Sequence, residues 1–166
     1  LLMRILAYLG DFRPAPERGP TYYTGGETWR ARLDAMGVDF QPVQAMPKVP
    51  GLLVVAPDSP IVDRLIEEHL ARGGSALFLP RESDRLPLGF TAKPGSNYGR
   101  AQSLPAWPEC QGISFSDVRT RSDIKAPLVV GGPGEVGADG MLARLQKGAG
   151  VAVYVQVGPD QIAAAM

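Results

Sequence analysis

The sequence predicts an α/β domain, a three-layer sandwich with a mostly parallel sheet and an antiparallel hairpin late in the chain. Two short apolar runs, LLVVA at 52–56 and SALFL at 75–79, enclose an amphipathic segment at 60–72. Such runs suit strands buried on both faces, and an intervening helix is the usual connection between parallel neighbours. The run VAVYVQV at 151–157 follows the turn KGAG and predicts a hairpin with residues 141–145.

Three further elements are predicted outside these runs. Residues 4–9 predict a strand, followed by a proline-rich loop. Trp29, Leu33 and Met36 are spaced by four and three, which predicts one apolar helix face. A short strand is expected at 39–43, near a sheet edge because its proline cannot donate to a ladder.

The middle of the chain is less regular. Residues 81–107 show no periodicity and are rich in Gly, Pro, Ser and Asn, so we predict a long excursion that binds something, packs on a neighbour or is mobile. A strand is expected at 126–130. The following GGPG at 131–134 is interpreted as a turn, because no Lys-Ser/Thr follows it as a nucleotide loop requires.

Composition narrows the classes of partner. The 166 residues fit one domain, and 17 basic residues balance 17 acidic ones, so nucleic acid is not an expected partner. No window approaches the roughly 18 apolar residues that span a bilayer, and residues 1–9 do not fit a signal peptide, so no membrane role is expected. The single Cys110 excludes an internal disulfide and leaves the compartment undetermined.

The two ends of the chain predict an excised piece. Residues 1–8 open directly on a strand pattern, and residues 158–166 have a helix-start signature, with Pro159 beside an acidic residue and before an Ala run. We expect residues 1–166 to form a single domain of a longer polypeptide, with a natural end as the alternative.

Aromatic and polar residues of the predicted loops form the candidate ligand site. Flat rings in loops stack on sugar faces, and polar side chains at the same sheet edge supply directional hydrogen bonds. The rings are those of Tyr22, Tyr23, Tyr98 and Trp107. The polar side chains are Asp11, Arg13, Asp58 and Asn97. The alternative is that these rings pack the loops onto the domain or a neighbouring one.

The segment TYYTGGET at 21–28 allows two interpretations. Hydroxyls and glycines before a helix present N–H groups to a phosphate. Prolines separate this loop from the predicted first strand, however, so we predict that Thr24 or Thr28 caps the helix.

Cys110 and His69 are the only thiol and imidazole of the chain. An unassisted thiol, with a pKa of about 8.5, is mostly un-ionised near neutral pH. We therefore predict that Cys110 is a small buried residue and that His69 is a partly buried helix residue. One Cys and one His do not build the usual metal ligand sets, so no metal site is predicted.

Residues 147–159 follow the pattern Lys-Gly-x-Gly, then an apolar strand, then Gln-x-x-Pro. It resembles the end of flavodoxin-like, class I glutamine amidotransferase-like domains that accompany bacterial glycoside hydrolases, such as the trimerisation domain of family 42 β-galactosidases. Residues 52–57, 67–79, 107–113 and 115–119 match further elements of those domains. The resemblance implies a flavodoxin-like sandwich.

The resemblance also implies a role. Catalytic amidotransferases place a nucleophilic Cys at a strand-to-helix elbow, whereas Pro80 and Arg81 follow the run at 75–79 here. We therefore expect a non-catalytic accessory domain of a carbohydrate-active enzyme, serving packing, oligomerisation or the walls of a substrate site. Its expected partners are other domains of the parent polypeptide, further copies of itself and carbohydrate, without a cofactor. The alternatives are a flavin- or nucleotide-binding protein and a protein-interaction module.

Overall fold

The computed structural model describes residues 19–96, 104–111 and 125–156. Within these ranges the helices are α1 (Glu27–Ala35) and α2 (Asp63–Ala71). The strands are β1 (Thr21–Thr24), β2 (Gln41–Pro42), β3 (Leu52–Val55), β4 (Ser75–Phe78), β5 (Thr91–Ser96), β6 (Lys125–Gly131), β7 (Glu135–Gly137), β8 (Leu142–Lys147) and β9 (Gly150–Val155). Short 3₁₀ turns lie at Pro87–Gly89, Pro108–Cys110 and Ala138–Gly140. The predicted strand at 4–9 is outside the described residues.

The described strands build one large sheet and one small one. The large sheet has the order β2-β1-β3-β4-β9-β8-β7, and β5 pairs with β6 separately. From β2 to β9 all neighbours are parallel, while β8 and β7 complete the edge antiparallel. The first five strands of this order match the doubly wound pattern of flavodoxin-like folds. The predicted fold class, a mostly parallel sandwich with a late antiparallel hairpin, is confirmed.

Alternation along the strands gives each face of the sheet its own core. Successive strand residues point to opposite faces. Leu53, Val55 and Phe78 enter the larger cluster with α2, whereas Tyr23 and Val54 join the cluster that packs α1. The sheet is therefore covered on both sides, which explains why its central strands read as nearly continuous apolar runs.

The late hairpin is the best-predicted element. Strands β8 and β9 pair from Leu142 with Val155 to Lys147 with Gly150. Gly148 has a φ of +60°, the left-handed conformation that a tight turn needs and that Gly adopts without strain. Strand β2 lies at the opposite edge of the sheet, as Pro42 predicted.

The segment at 21–28 corrects the sequence prediction. Thr21–Thr24 is a strand rather than a loop, and it pairs on both sides. The N-cap of α1 is Gly26, without a side-chain cap, and the Thr24 hydroxyl lies 2.9 Å from that of Ser59. Neither threonine caps the helix. The error arose because the predicted turn glycines follow the strand instead of interrupting it.

The excursion at 81–107 holds more structure than predicted. Strand β5 lies inside it and pairs with β6, with Pro94 opposite Pro127. The Tyr154 hydroxyl donates to the Pro87 carbonyl at 2.7 Å, and the Tyr154 ring stacks on Phe78 at 4.3 Å. Lysine, proline and glycine in β5 hide its strand character, since these residues are depleted in strands.

Two further observations complete the fold. Met36 is 54% exposed, so its prediction as part of the buried face of α1 is wrong, because the helix ends before it. No helix within the described ranges has the length and apolar character needed to cross a membrane.

Candidate functional site

A cavity of about 840 Å³ opens at the carboxyl edge of the large sheet. Its floor consists of residues that come shortly after strands: Pro57 two positions after β3, Arg81 three positions after β4 and Gln156 immediately after β9. The β5–β6 pair forms the facing wall, and helix α1 contributes to the rim. Doubly wound sheets bind ligands at this edge, beyond the carboxyl ends of their strands.

Arg81 is fixed at the floor of the cavity by main-chain carbonyls. Its Nη1 donates to Pro57 at 2.9 Å and its Nη2 to Ala56 at 2.8 Å, while Nε is buried without a partner. Burial lowers the pKa of the guanidinium from its ordinary value, since desolvation disfavours the charged form. Among the described residues no carboxylate bonds to this cation, so its charge is held in place without a direct counter-ion.

Gln156 lies beside Arg81 and is only 2% exposed. Its Oε1 accepts the main-chain N–H of Arg81 at 3.1 Å, and its own main-chain N–H donates to Met141 at 2.9 Å. The amide nitrogen Nε2 is buried without a partner. Both residues line the cavity, and each holds one buried side-chain nitrogen without a hydrogen-bond partner.

The rest of the described lining is predominantly basic. Arg32 stacks on the indole of Trp29, with the guanidinium carbon 4.8 Å from the ring centroid. Lys125, the first residue of β6, lies on the facing wall. Glu82 is the one carboxylate in the described lining, and it is exposed. The described lining thus holds three cationic side chains and one carboxylate.

A second polar centre lies at the same edge, where β1 and β3 end. The main-chain N–H of Gly26, at the start of α1, donates to both carboxylate oxygens of Asp58 at 3.0 Å. A Cβ added at Gly26 would collide with that carboxylate. A helix N-terminus attracts anions, and here the chain supplies its own.

Tyr23 closes this second centre from below. Its hydroxyl donates to the Gly26 carbonyl at 2.6 Å. Burial and the nearby charge of Asp58 raise the pKa of this phenol, which keeps it protonated as a donor. The centre is thus internally satisfied.

Those of the predicted ligand residues that the structure describes do not meet at an open surface. Tyr22 and Tyr23 lie on β1 and are 7% and 1% exposed, so the expectation that they occupy a loop is wrong. Trp107 is 8% exposed and donates from Nε1 to Glu135 at 2.9 Å. All three rings pack the core: Trp107 does so from a loop, as the alternative interpretation held, whereas Tyr22 and Tyr23 do so from a strand. Asp58 is engaged by Gly26. Asp11, Arg13, Asn97 and Tyr98 lie outside the described residues.

Cys110 and His69 belong to separate parts of the core. His69 is fully buried on α2 and donates from Nε2 to the Gly51 carbonyl at 3.0 Å. Burial is the main cause of its lowered pKa, as it is of the raised pKa of Cys110, which packs under Trp107. His69 is a helix residue, as predicted, but it is fully rather than partly buried, and the prediction of a buried Cys110 is wrong, since that residue is half-buried. The described ranges hold no group of three His, Cys, Asp or Glu side chains suited to a metal ion.

Sequence reasoning missed Arg81, Gln156 and the basic rim. A signal existed for Arg81, which follows the predicted strand at 75–79 at the edge where parallel sheets place their sites, whereas Gln156 was placed inside the predicted strand at 151–157. The wall opposite had no comparable signal, because β5 lacks the apolar alternation of a strand.

Comparison with protein-family models, with curated proteins and with solved structures found no match to this chain. The resemblance to amidotransferase-like domains therefore stays a prediction.

Proposed function

We propose that this chain is a non-catalytic ligand-binding domain and that its ligand occupies the cavity at the carboxyl edge of the sheet. The observation that supports this best is the pair of buried donors without a partner, Arg81 Nε and Gln156 Nε2, on two residues that line the cavity. A buried donor without a partner costs about 1 to 3 kcal/mol, and folded proteins leave few of them. A bound group that accepts from these donors would offset that cost.

The chemistry of the described lining supports binding rather than catalysis. Glycoside hydrolysis usually needs two carboxyl groups on either side of the scissile bond, and thiol catalysis needs an activated cysteine. The described lining offers Glu82 as its one carboxylate and contains neither Cys nor His. Its donors can orient a ligand without transferring a proton to it.

The resemblance to domains of glycoside hydrolases supplies a setting for the proposal. In a carbohydrate-active parent, the domain would act as an accessory unit, and the cavity would hold a sugar or form a wall of the substrate site. A volume of about 840 Å³ is within the range of small-molecule sites.

The cavity is a better candidate than the crevice between β1 and β3. A flavin or nucleotide would place a phosphate at the N-terminus of α1. The Asp58 carboxylate already occupies that position through Gly26. The flavin- and nucleotide-binding alternative would therefore require Asp58 to move away.

Calorimetric and thermal-shift titrations of the 166-residue chain test the proposal. The panel is galactose, lactose, galacturonate, galactose 6-phosphate, flavin mononucleotide and adenosine monophosphate. Pro57→Trp places an indole in the cavity, and Pro60→Trp makes the same change at an exposed residue outside its lining.

We expect saturable binding of at least one compound, weakened at least about tenfold by Pro57→Trp and changed less than about twofold by Pro60→Trp. A panel without any saturable response would overturn the proposal, as would binding that Pro57→Trp leaves unchanged. Either result would favour the packing and oligomerisation roles.

A further inference from the structure

We infer that the ligand of this cavity carries an anionic group, a carboxylate or a phosphate, and that Arg81 and Gln156 recognise it. The inference rests on the proposed ligand-binding function and names the chemical class of the ligand. It follows from the charge of the cavity wall and from which hydrogen-bonding atoms the chain leaves unused.

The first step concerns the charge of Arg81. Arg81 is half-buried, and a charge partly removed from water is stabilised by an opposite charge beside it. The guanidinium here bonds to the carbonyls of Ala56 and Pro57. Two acids, Asp58 and Asp63, act on it from a distance, but each bonds to a main-chain N–H of its own, those of Gly26 and Leu88. Within the described ranges, Arg81 therefore has no carboxylate bonded to it.

The second step concerns the orientation of the Gln156 amide. Its oxygen must face Arg81, because the main-chain N–H of Arg81 needs an acceptor. The amide nitrogen is consequently fixed as the free end, and it can only donate. A neutral carbonyl would satisfy this donor as well as a carboxylate would, but it would leave the charge of Arg81 unpaired.

The third step concerns the field around the pair. Arg32, held over Trp29, and Lys125 on the facing wall add positive charge at the rim, against the single exposed Glu82. Such a field concentrates anions at the entrance and speeds their association. A group with two or three acceptor oxygens can accept from several donors at once, as bidentate carboxylate and phosphate contacts do, once the side chains of Arg81 and Gln156 turn their buried nitrogens toward the cavity.

The test compares ligands that share a sugar ring and differ in the group at C6. Galactose, galacturonate and galactose 6-phosphate are titrated into the full chain by calorimetry, with inorganic phosphate and acetate as minimal probes. We expect one of the two anionic sugars to bind at least about tenfold more tightly than galactose. The two anions distinguish a carboxylate from a phosphate ligand, and added salt should weaken both.

Gln156→Glu is the matched variant. It keeps an acceptor for the Arg81 N–H and replaces the free donor by an acceptor. We expect Gln156→Glu to weaken binding of the preferred anion at least about tenfold. Its effect on the affinity for galactose should be less than about twofold. Arg64→Gln removes one cation from the exposed face of α2 and should leave all affinities unchanged. If Gln156→Glu does not fold, Arg81→Lys keeps the charge, removes the Nε donor and should show the same selective loss.

The outcomes separate the two proposals. Equal affinity for galactose and both anionic sugars, or an anion preference that survives both Gln156→Glu and Arg81→Lys, would overturn the anion inference while leaving a ligand-binding cavity. The absence of saturable binding by every compound would overturn the ligand-binding proposal itself.

Discussion

Two polar centres at the carboxyl edge of the sheet differ in how far the chain satisfies its own groups. At the ends of β1 and β3, the N-terminus of α1 is occupied by Asp58 and closed from below by Tyr23. At the ends of β4 and β9, Arg81 and Gln156 each retain a buried donor beside an open cavity. The first centre stabilises the fold, whereas the second holds the two nitrogens that we propose donate to a bound ligand.

The difference between the two centres indicates which of them is the better candidate for a ligand site. Topology alone favours the crevice between β1 and β3, where the strand order reverses. The lack of partners for two buried donors instead favours the end of β4, because such donors are uncommon in stable folds. Variants at Gly25, Asp58, His69 and Tyr154 test this account, in decreasing order of expected effect.

The largest effect is expected at Gly25. A Cβ there would collide with Ala56, and the φ of +144° is unfavourable for any L side chain. We expect Gly25→Ala to lower the free energy of unfolding by about 2 to 4 kcal/mol. Gly37→Ala is the control, since Gly37 also has a positive φ, +73°, but nothing lies within 4 Å of its added Cβ.

Urea titrations of both variants measure the difference. The open surroundings of Gly37 predict a loss of only about 1 to 2 kcal/mol, from backbone strain alone. Equal losses at the two positions would contradict the tight closure of the first centre.

Asp58→Ala tests the internal anion. Losing the carboxylate at the start of α1 should cost about 1 to 2 kcal/mol of unfolding free energy. Asp39→Ala, which removes the same charge from an exposed position, should cost much less. Inorganic phosphate should then stabilise Asp58→Ala more than the wild type, because the vacated helix end attracts anions. An equal response to phosphate in thermal melts would contradict the assigned role of Asp58.

His69 provides a pH test at the opposite, amino-terminal side of the sheet. Its pKa is lowered by burial, so the unfolded chain takes up a proton first as the pH falls. Stability should be fully present above about pH 6.5 and should decline below it, by at most about 1.4 kcal/mol per pH unit. Because this is the only His of the chain, the slope between pH 6.5 and 5 should disappear in His69→Gln. A slope that persists in that variant would assign the effect to other groups.

Tyr154→Phe tests how the facing wall of the cavity is anchored. The variant removes the hydrogen bond to the Pro87 carbonyl and should cost about 1 kcal/mol of unfolding free energy. Tyr22→Phe changes a buried phenol without a described hydrogen bond and should be closer to neutral. Denaturant titrations that rank the two variants the other way would show that the wall is anchored by other contacts.

Much of the fold could be predicted from sequence because the buried strands are locally encoded. The apolar runs that became β3 and β4, and the turn glycines before β9, carry periodicity and composition that few other structures share. Strands β1 and β5 escaped prediction because hydroxyls, proline and glycine mask their apolar residues. Tertiary pairing, which local propensity does not encode, decides those segments.

The candidate site was less predictable for a related reason. Loop aromatics were expected to bind a ligand, but Tyr22, Tyr23 and Trp107 are drawn into the core by the apolar area they bury. Whether Arg81 and Gln156 have unused donors depends on carbonyls and amides distant in sequence, at Ala56, Pro57 and each other. That arrangement is visible only in three dimensions.

The central claim is that the end of β4, rather than the start of α1, accepts an anionic ligand. Titrating ¹⁵N-labelled chain with galacturonate or galactose 6-phosphate, while following the Arg81 Nε and Gln156 side-chain amide signals together with the Gly26 amide, tests it most directly. We predict saturable shifts at Arg81 and Gln156, with Gly26 unchanged. Saturable shifts at Gly26, with Arg81 and Gln156 unaffected, would contradict the account.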